Sequence, residues 1–361
     1  MTKPIQEIDE NFRRLELDGV PLHFRPANSA PFALTGFPWL KTERHLCRLP
    51  QQTIPLANEG IQELAWHTSG GILHFRTDSS TIAIDTTLRS GLDMSHMPRS
   101  GSGGFDLFEG RGVDSTFRAN VLHEHGQTQV RALFCRGLER TMREWKIYLP
   151  LYNGVQHLAI GLDLDGQVEA ASPLQQTKPI LFYGSSITQG GCASRPGNAY
   201  PAIVARRLDA HLINWGFSGS GRGEPVMAQT IAGLDLGVFV FDYDHNAPTP
   251  EHLEKTHALF FHTIRKAQPK LPVVFVSRPD FYNNPDCHQR RQIIRATYDA
   301  ACAIGDQNVY FVDGETLFGE TERDLCTVDG CHPNDIGFLR MADGITPVVK
   351  AALGTKERIT W

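Results

Sequence analysis

Two different periodicities divide the chain. Up to about residue 162, apolar and polar positions alternate. In ILHFRTDSSTIAIDTTL (72–88), Ile82, Ile84 and Leu88 fall at even spacing with polar residues between them. EWKIYLPLY alternates Trp145, Ile147 and Leu149, and LAIGLDL alternates Leu158, Ile160 and Leu162. A two-residue period broken by Gly, Pro, Asn and Asp predicts antiparallel strands with one wet face. Several in succession predict a β-sandwich or jelly roll. HEHG (123–126) reads as a hairpin turn. LDGQVEAASPLQQTKP (164–179) is polar, carries prolines and reads as a linker.

Beyond it, short apolar runs alternate with helical patterns. ILFY, HLINW, LGVFVFDYD, LPVVFVS and NVYFVDG read as strands. The third is apolar almost without a break, as a strand covered on both faces should be. NAYPAIVARRLDA has helical spacing, with Asn198 at the N-cap and Pro201 in the first turn. In TPEHLEKTHALFFHTIRKAQ, Thr249 can cap, Pro250 suits the first position, and Leu253, Leu259, Phe260 and Ile264 share a face. Strand and helix alternating in this way predict a parallel sheet wound on both sides. The boundaries expected are 1–165 for an all-β domain, 166–178 for the linker and 179–361 for an α/β domain.

Composition removes several classes. The chain has 361 residues, a net charge of −5 and no basic tract, so nothing favours nucleic acid. No apolar run approaches the ~20 residues that cross a bilayer, and MTKPIQEIDENF does not read as a secretory signal. Seven cysteines without a C-x-x-C pair read as reduced thiols of a cytoplasmic protein. Cys326 and Cys331–His332 lack the second pair a zinc site wants, so no metal and no redox cofactor are expected. Self-association is compatible with the pattern.

In an open parallel sheet, ligands bind beyond the carboxyl ends of the strands. Polar clusters stand at four of these ends: Gly184-Ser185-Ser186, NWGFSGSGRGE, DYDHNAP and VDGCHPND. A serine hydroxyl needs a base, for which His332 is the candidate. That imidazole needs an acceptor, and Asp329 lies three residues upstream. Oxyanion donors would be the N–H groups of Ser186 and Gly219 and the amide of Asn246. The bland readings are a Ser-Ser turn, a glycine cradle for phosphate, and a histidine that caps the last helix.

Taken together, these blocks resemble the SGNH/GDSL hydrolase family. GSSITQG is similar to its first block, NWGFSGSG to its second, DYDHNAP to a variant of its third and DGCHPND to its fifth, in family order. The resemblance implies Ser186 as nucleophile, His332 and Asp329 as base and acid, and Gly219 and Asn246 in the oxyanion hole. Ser185 stands where the family has aspartate. GGFDLFEG (103–110) resembles the Gly-x-Asp-Leu-Tyr signature of an N-terminal β-domain found ahead of some members. The implied architecture is a flavodoxin-like three-layer SGNH domain preceded by a jelly-roll sandwich. The implied activity is serine-dependent hydrolysis of small acyl esters, acetyl esters of carbohydrates or glycosides foremost. An acyltransferase with the same triad and a non-catalytic carbohydrate-binding protein are the alternatives. The loop DMSHMPRSGSGG (93–104) is expected to reach over the catalytic rim, with His96 or Met97 touching the substrate.

Overall fold

The computed structural model describes residues 8, 17, 19–279 and 285–354. Its first part holds ten strands: β1 (Leu22–Pro26), β2 (Ala33–Thr35), β3 (Ile72–Thr77), β4 (Ile82–Leu88), β5 (Phe105–Glu109), β6 (Thr116–Val121), β7 (Gln129–Cys135), β8 (Arg143–Tyr148), β9 (Val155–Asp163) and β10 (Val168–Glu169). They form two antiparallel sheets, one ordered β1-β9-β4-β7 and the other β10-β3-β8-β5-β6 with β2 also on β3. The predicted alternation is what closes this β-sandwich. Ile82, Ile84 and Ile160 from one sheet and Trp145 and Ile147 from the other meet in one core, each at most 1% exposed. Burying a side chain of this size contributes about 1.5 to 3 kcal/mol.

Two local readings change. HEHG is not a hairpin turn, because β6 and β7 lie in different sheets and the segment crosses between them. Within 166–178, Val168 and Glu169 pair with Thr77 and Arg76, and the next strand already starts at Gln176.

The second part is a five-stranded parallel sheet of β11 (Gln176–Gly184), β12 (Ala210–Gly216), β13 (Val238–Asp242), β14 (Val273–Val276) and β15 (Val309–Val312), ordered β12-β11-β13-β14-β15. This is the flavodoxin-like order, with its switch point between β11 and β13. Successive residues face opposite layers. Ile180 and Phe182 pack with helices Tyr200–Arg207 and Asp335–Ala352. Leu181 and Tyr183 pack with helices Pro225–Ala232, Pro250–Ala267 and Cys287–Ala303. We number these helices α1 (Tyr200–Arg207), α2 (Pro225–Ala232), α3 (Pro250–Ala267), α4 (Cys287–Ala303) and α5 (Asp335–Ala352).

Thr249 caps α3, its hydroxyl accepting from the His252 N–H at 3.2 Å. The buried face of α3 is Leu253, Phe260, Phe261 and Ile264; Leu259 is 68% exposed, one position off the stripe. Asn198 does not cap α1. It stands in a preceding turn and donates to Asp335 at the start of α5.

The first part also fills the second. Cys47, Leu49, Ala57, Ile61 and Ala65 join the layer of Trp215 and Phe217, and Trp39 stacks on Trp215 at 6.0 Å. Arg48 is fully buried and, among the described residues, has no acidic partner. Its guanidinium donates to the carbonyls of Leu64, Asn214 and Gly216 and lies 4.4 Å over the Phe217 ring. Burial pulls its pKa down to about 9, which leaves it charged at neutral pH.

Candidate active site

Three strand ends at the switch point build the centre of the site. After β11 the chain turns at once into the one-turn helix Ser186–Gln189. Gly184 permits this, because a Cβ there would fall 2.0 Å from Thr188 Oγ1 and 2.1 Å from the Asp242 carbonyl. Ser185 caps the turn, its hydroxyl accepting from the Ile187 N–H at 3.1 Å. The hydroxyl in the position of the family's aspartate therefore steers the backbone. Ser186 follows, 8% exposed, with its Oγ 2.8 Å from His332 Nε2.

The Asp-x-x-His turn is self-contained. Asp329 Oδ1 accepts from the N–H groups of Cys331 and His332, and Oδ2 lies 2.7 Å from His332 Nδ1. Burial alone would raise the Asp329 carboxyl, but the His332 hydrogen bonds and that of Cys331 outweigh it and hold the pKa at about 2. A carboxylate that can only accept puts the imidazole proton on Nδ1. Nε2 then keeps its lone pair toward Ser186.

Around Ser186, the backbone supplies donors. Among the described residues, neither the Ser186 N–H nor the Gly219 N–H has a hydrogen-bond partner. Gly219 sits at φ +63 with open space where a Cβ would be, so conformation, not crowding, asks for glycine there. Asn246 behaves differently from expectation. Its amide donates to the carbonyls of Phe217 and Gly221 at 2.8 and 3.1 Å, so both its hydrogens tie down the loop that carries Gly219.

Several contributors escaped sequence reasoning. Gln189 is fully buried and links three segments: its Oε1 accepts from Ser218 N–H at 3.0 Å, and its Nε2 donates to the Leu151 carbonyl at 3.0 Å and to His67 Nδ1 at 3.2 Å. The Ser69 hydroxyl donates to the Gln189 carbonyl, and the Tyr152 hydroxyl to the Ser186 carbonyl. Gln189 lies inside GSSITQG and Tyr152 ends EWKIYLPLY; both stretches stood out in the sequence, but no spacing rule gives these side chains a task.

The sandwich also reaches the rim through the 93–104 segment. His96 is exposed, with its ring centroid 6.3 Å from that of His332. Met97 is 3% exposed and turned into the core beside Ala193, so it does not stand in the open rim. Asp106, from GGFDLFEG, explains why that stretch matters. Its carboxyl accepts from the Gly197 N–H at 2.8 Å and from Asn120, and faces Arg195, which joins β5 to the segment that follows the serine turn. Burial pushes this carboxyl up to about 6 despite those partners. Among the described residues, no three His, Cys, Asp or Glu side chains come together as a metal site would require.

The family model for the GDSL-like lipase/acylhydrolase family matches residues 177–350, and the model for the GxDLY N-terminus of SGNH-hydrolase-type esterases matches residues 22–168. A Bacteroides ovatus protein classed as a GDSL-like lipase shares 26% identity, covering 94% of this chain and 100% of its own, at a TM-score of 0.84. The fold is also that of a salicylyl-acyltransferase from a tetracycline biosynthetic pathway, 20% identical over 93% of this chain and 98% of that one, TM-score 0.75. A family two carbohydrate esterase from Clostridium thermocellum, solved with cellohexaose, shares it at 18% identity over 79% and 93%, TM-score 0.61. No curated protein matches the chain.

Proposed function

Because the chain belongs to the SGNH/GDSL hydrolases, with a GxDLY-type β-domain ahead of the hydrolase domain and acyl ester hydrolysis as its chemistry, we propose that Ser186, His332 and Asp329 are its catalytic triad. The observation that carries this reading is the unbroken relay from Ser186 Oγ to His332 Nε2 at 2.8 Å and from Nδ1 to Asp329 at 2.7 Å. His332 takes the Ser186 proton as Oγ attacks the acyl carbon. The tetrahedral oxyanion is met by the N–H groups of Ser186 and Gly219, with Asn246 shaping the loop from behind and available as a third donor if its amide turns. Removing one such donor costs about 3 to 4 kcal/mol of barrier. His332 returns the proton to the leaving alcohol. A water then gives its proton to His332, attacks the acyl-serine, and the acid leaves as Ser186 recovers its hydrogen.

The substrate proposed is a small acyl ester, acetyl foremost, whose alcohol is a carbohydrate or glycoside. The fold shared with a carbohydrate esterase supports that choice of alcohol. His96, exposed beside His332, is proposed to touch the alcohol. Cytoplasmic residence goes with seven cysteines that are all free thiols. No helix of the described residues is long and apolar enough to cross a membrane. The second reading is acyl transfer by the same groups, favoured by the fold shared with an acyltransferase.

The test is a kinetic screen of acetylated sugars against aryl esters of increasing chain length, with product analysis in the presence of a competing alcohol. Free acid as the main product supports hydrolysis; a new ester as the main product supports transfer. A fluorophosphonate adduct is expected on Ser186, and an adduct elsewhere would remove it as nucleophile.

A further inference from the structure

A cavity of about 370 Å³ opens on the β-sandwich, lined among others by Arg44, His45, Trp66, Arg89 and His157. It shares no lining residue with the site around Ser186. Its volume falls in the range of small-molecule sites. Among the described residues, two guanidinium groups line it and no carboxylate does. In a chain of net charge −5 that combination makes a local positive field. Among the described residues, neither Arg44 nor Arg89 has an ion-pair or side-chain hydrogen-bond partner.

Arg89 is nevertheless held in place. The stem of Arg89 lies across Gly154, where a Cβ would fall 2.2 Å from Arg89 Cδ, so a larger residue would evict it. The Arg89 N–H donates to the Gly154 carbonyl at 2.9 Å, and the guanidinium stacks 4.8 Å from the Trp66 ring centroid. Stacking occupies one face of the guanidinium and leaves its N–H edge free. Arg44 ends the one-turn helix Leu40–Glu43 in the left-handed region, at φ 59 and ψ 23. A non-glycine residue held there carries strain. The exposed side chain of Arg44 lines the cavity and has no side-chain partner among the described residues. Leu46, Val155 and Leu158 provide an apolar wall beside these charges.

We propose that this cavity binds a small organic carboxylate with a ring-sized body, the carboxylate on the N–H edges of Arg44 and Arg89 and the ring against the apolar wall. An arginine fork matches a carboxylate with two parallel hydrogen bonds, whereas an uncharged ring would leave both guanidiniums unpaired. The acid comes from one of two sources, an aromatic acid or a sugar acid, and both present the same carboxylate.

Calorimetric titration of the full chain with benzoate and with glucuronate separates them, with benzamide and glucose as uncharged counterparts. Saturable binding of at least one acid is expected, with its uncharged counterpart at least about tenfold weaker. Arg89→Met, which keeps the stem over Gly154, is expected to lower affinity at least about tenfold. Arg89→Lys, which keeps the charge but not the fork, should give an intermediate loss. Arg44→Gly should raise the melting temperature by relieving the left-handed residue and still weaken binding. Ser186→Ala should leave binding unchanged. The proposal is overturned if neither acid binds saturably, if the uncharged counterparts bind as well, if Arg89→Met and Arg44→Gly bind like the parent, or if Ser186→Ala abolishes binding.

Discussion

At the scale of single residues, Ser185 and Ser186 are adjacent and chemically identical but have opposite tasks. Ser185 faces back into its own turn, where its hydroxyl accepts from the Ile187 N–H, and Ser186 faces the imidazole. Ser186→Ala is therefore expected to lower turnover at least ~10³-fold with the fold intact, which circular dichroism and steady-state kinetics would check together. Ser185→Ala removes a cap and should cost about 1 kcal/mol of stability, read by denaturant unfolding, without a comparable loss of turnover. Asp329 has its pKa held at about 2, below the ordinary carboxylate value. A depressed carboxyl stays ionised until the pH falls through its folded pKa, so Asp329 keeps its charge until the pH approaches about 2. Asp329 should therefore add no proton of its own to the acid limb of log kcat/KM against pH; a slope of two there would mean that it titrates. Asp329→Asn leaves the wrong tautomer facing Ser186 and should cost about 10³- to 10⁴-fold in turnover.

At the scale of elements, the site depends on how turns are fastened to one another. The one-turn helix at Ser186 would fray alone, since a nucleus of one turn is unfavourable. Gln189, at its end, ties it to Ser218 in the Gly219 loop and to Leu151 of the sandwich. Gln189→Ala should free Ser218 and let the Gly219 N–H drift. Turnover is expected to fall about 10- to 100-fold with KM little changed, less than outright loss of an oxyanion donor. A rise in KM alone would make Gln189 a binding residue. His96→Ala, in the 93–104 loop, should shift the preference among alcohols without lowering expression. Unchanged kinetics across several esters would remove it from the substrate's path.

At the scale of the whole molecule, the two halves are not independent beads. Residues 47–65 complete a layer over the parallel sheet, and Arg48 holds the end of β12. Expressed alone, residues 177–361 should expose the face of Trp215 and Phe217, bind a hydrophobic dye and aggregate. A soluble, active fragment would contradict this. Asp242, beneath the serine turn, is buried and accepts from Tyr200 and Thr188. Burial, and then the charge of Asp244, push its pKa up to about 8. A carboxyl raised in the folded state stabilises most below its unfolded pKa of about 3.9 and loses that contribution as pH rises through about 8. The melting temperature should decline over that window, and Asp242→Asn should flatten the decline.

Both period-two and helical patterns could be read directly, because alternation is a local property: each strand must present one apolar face whatever its neighbours are. The Asp329–His332 turn was legible for the same reason, its bonds spanning three residues. Leu259, the crossing at 123–126 and the true partners of the Asn246 amide were not, since each depends on which segment arrives from elsewhere. Sequence by itself determined that this chain pairs a two-faced β-half with a parallel α/β half and carries a serine, an imidazole and a carboxylate at strand ends. Tertiary structure alone decided that Gln189 and Tyr152 fasten the Ser186 turn, that Arg48 holds the end of β12 and that His96 lies beside His332, because these hydrogen bonds and contacts join residues tens to more than a hundred positions apart, a separation over which side-chain spacing carries no information.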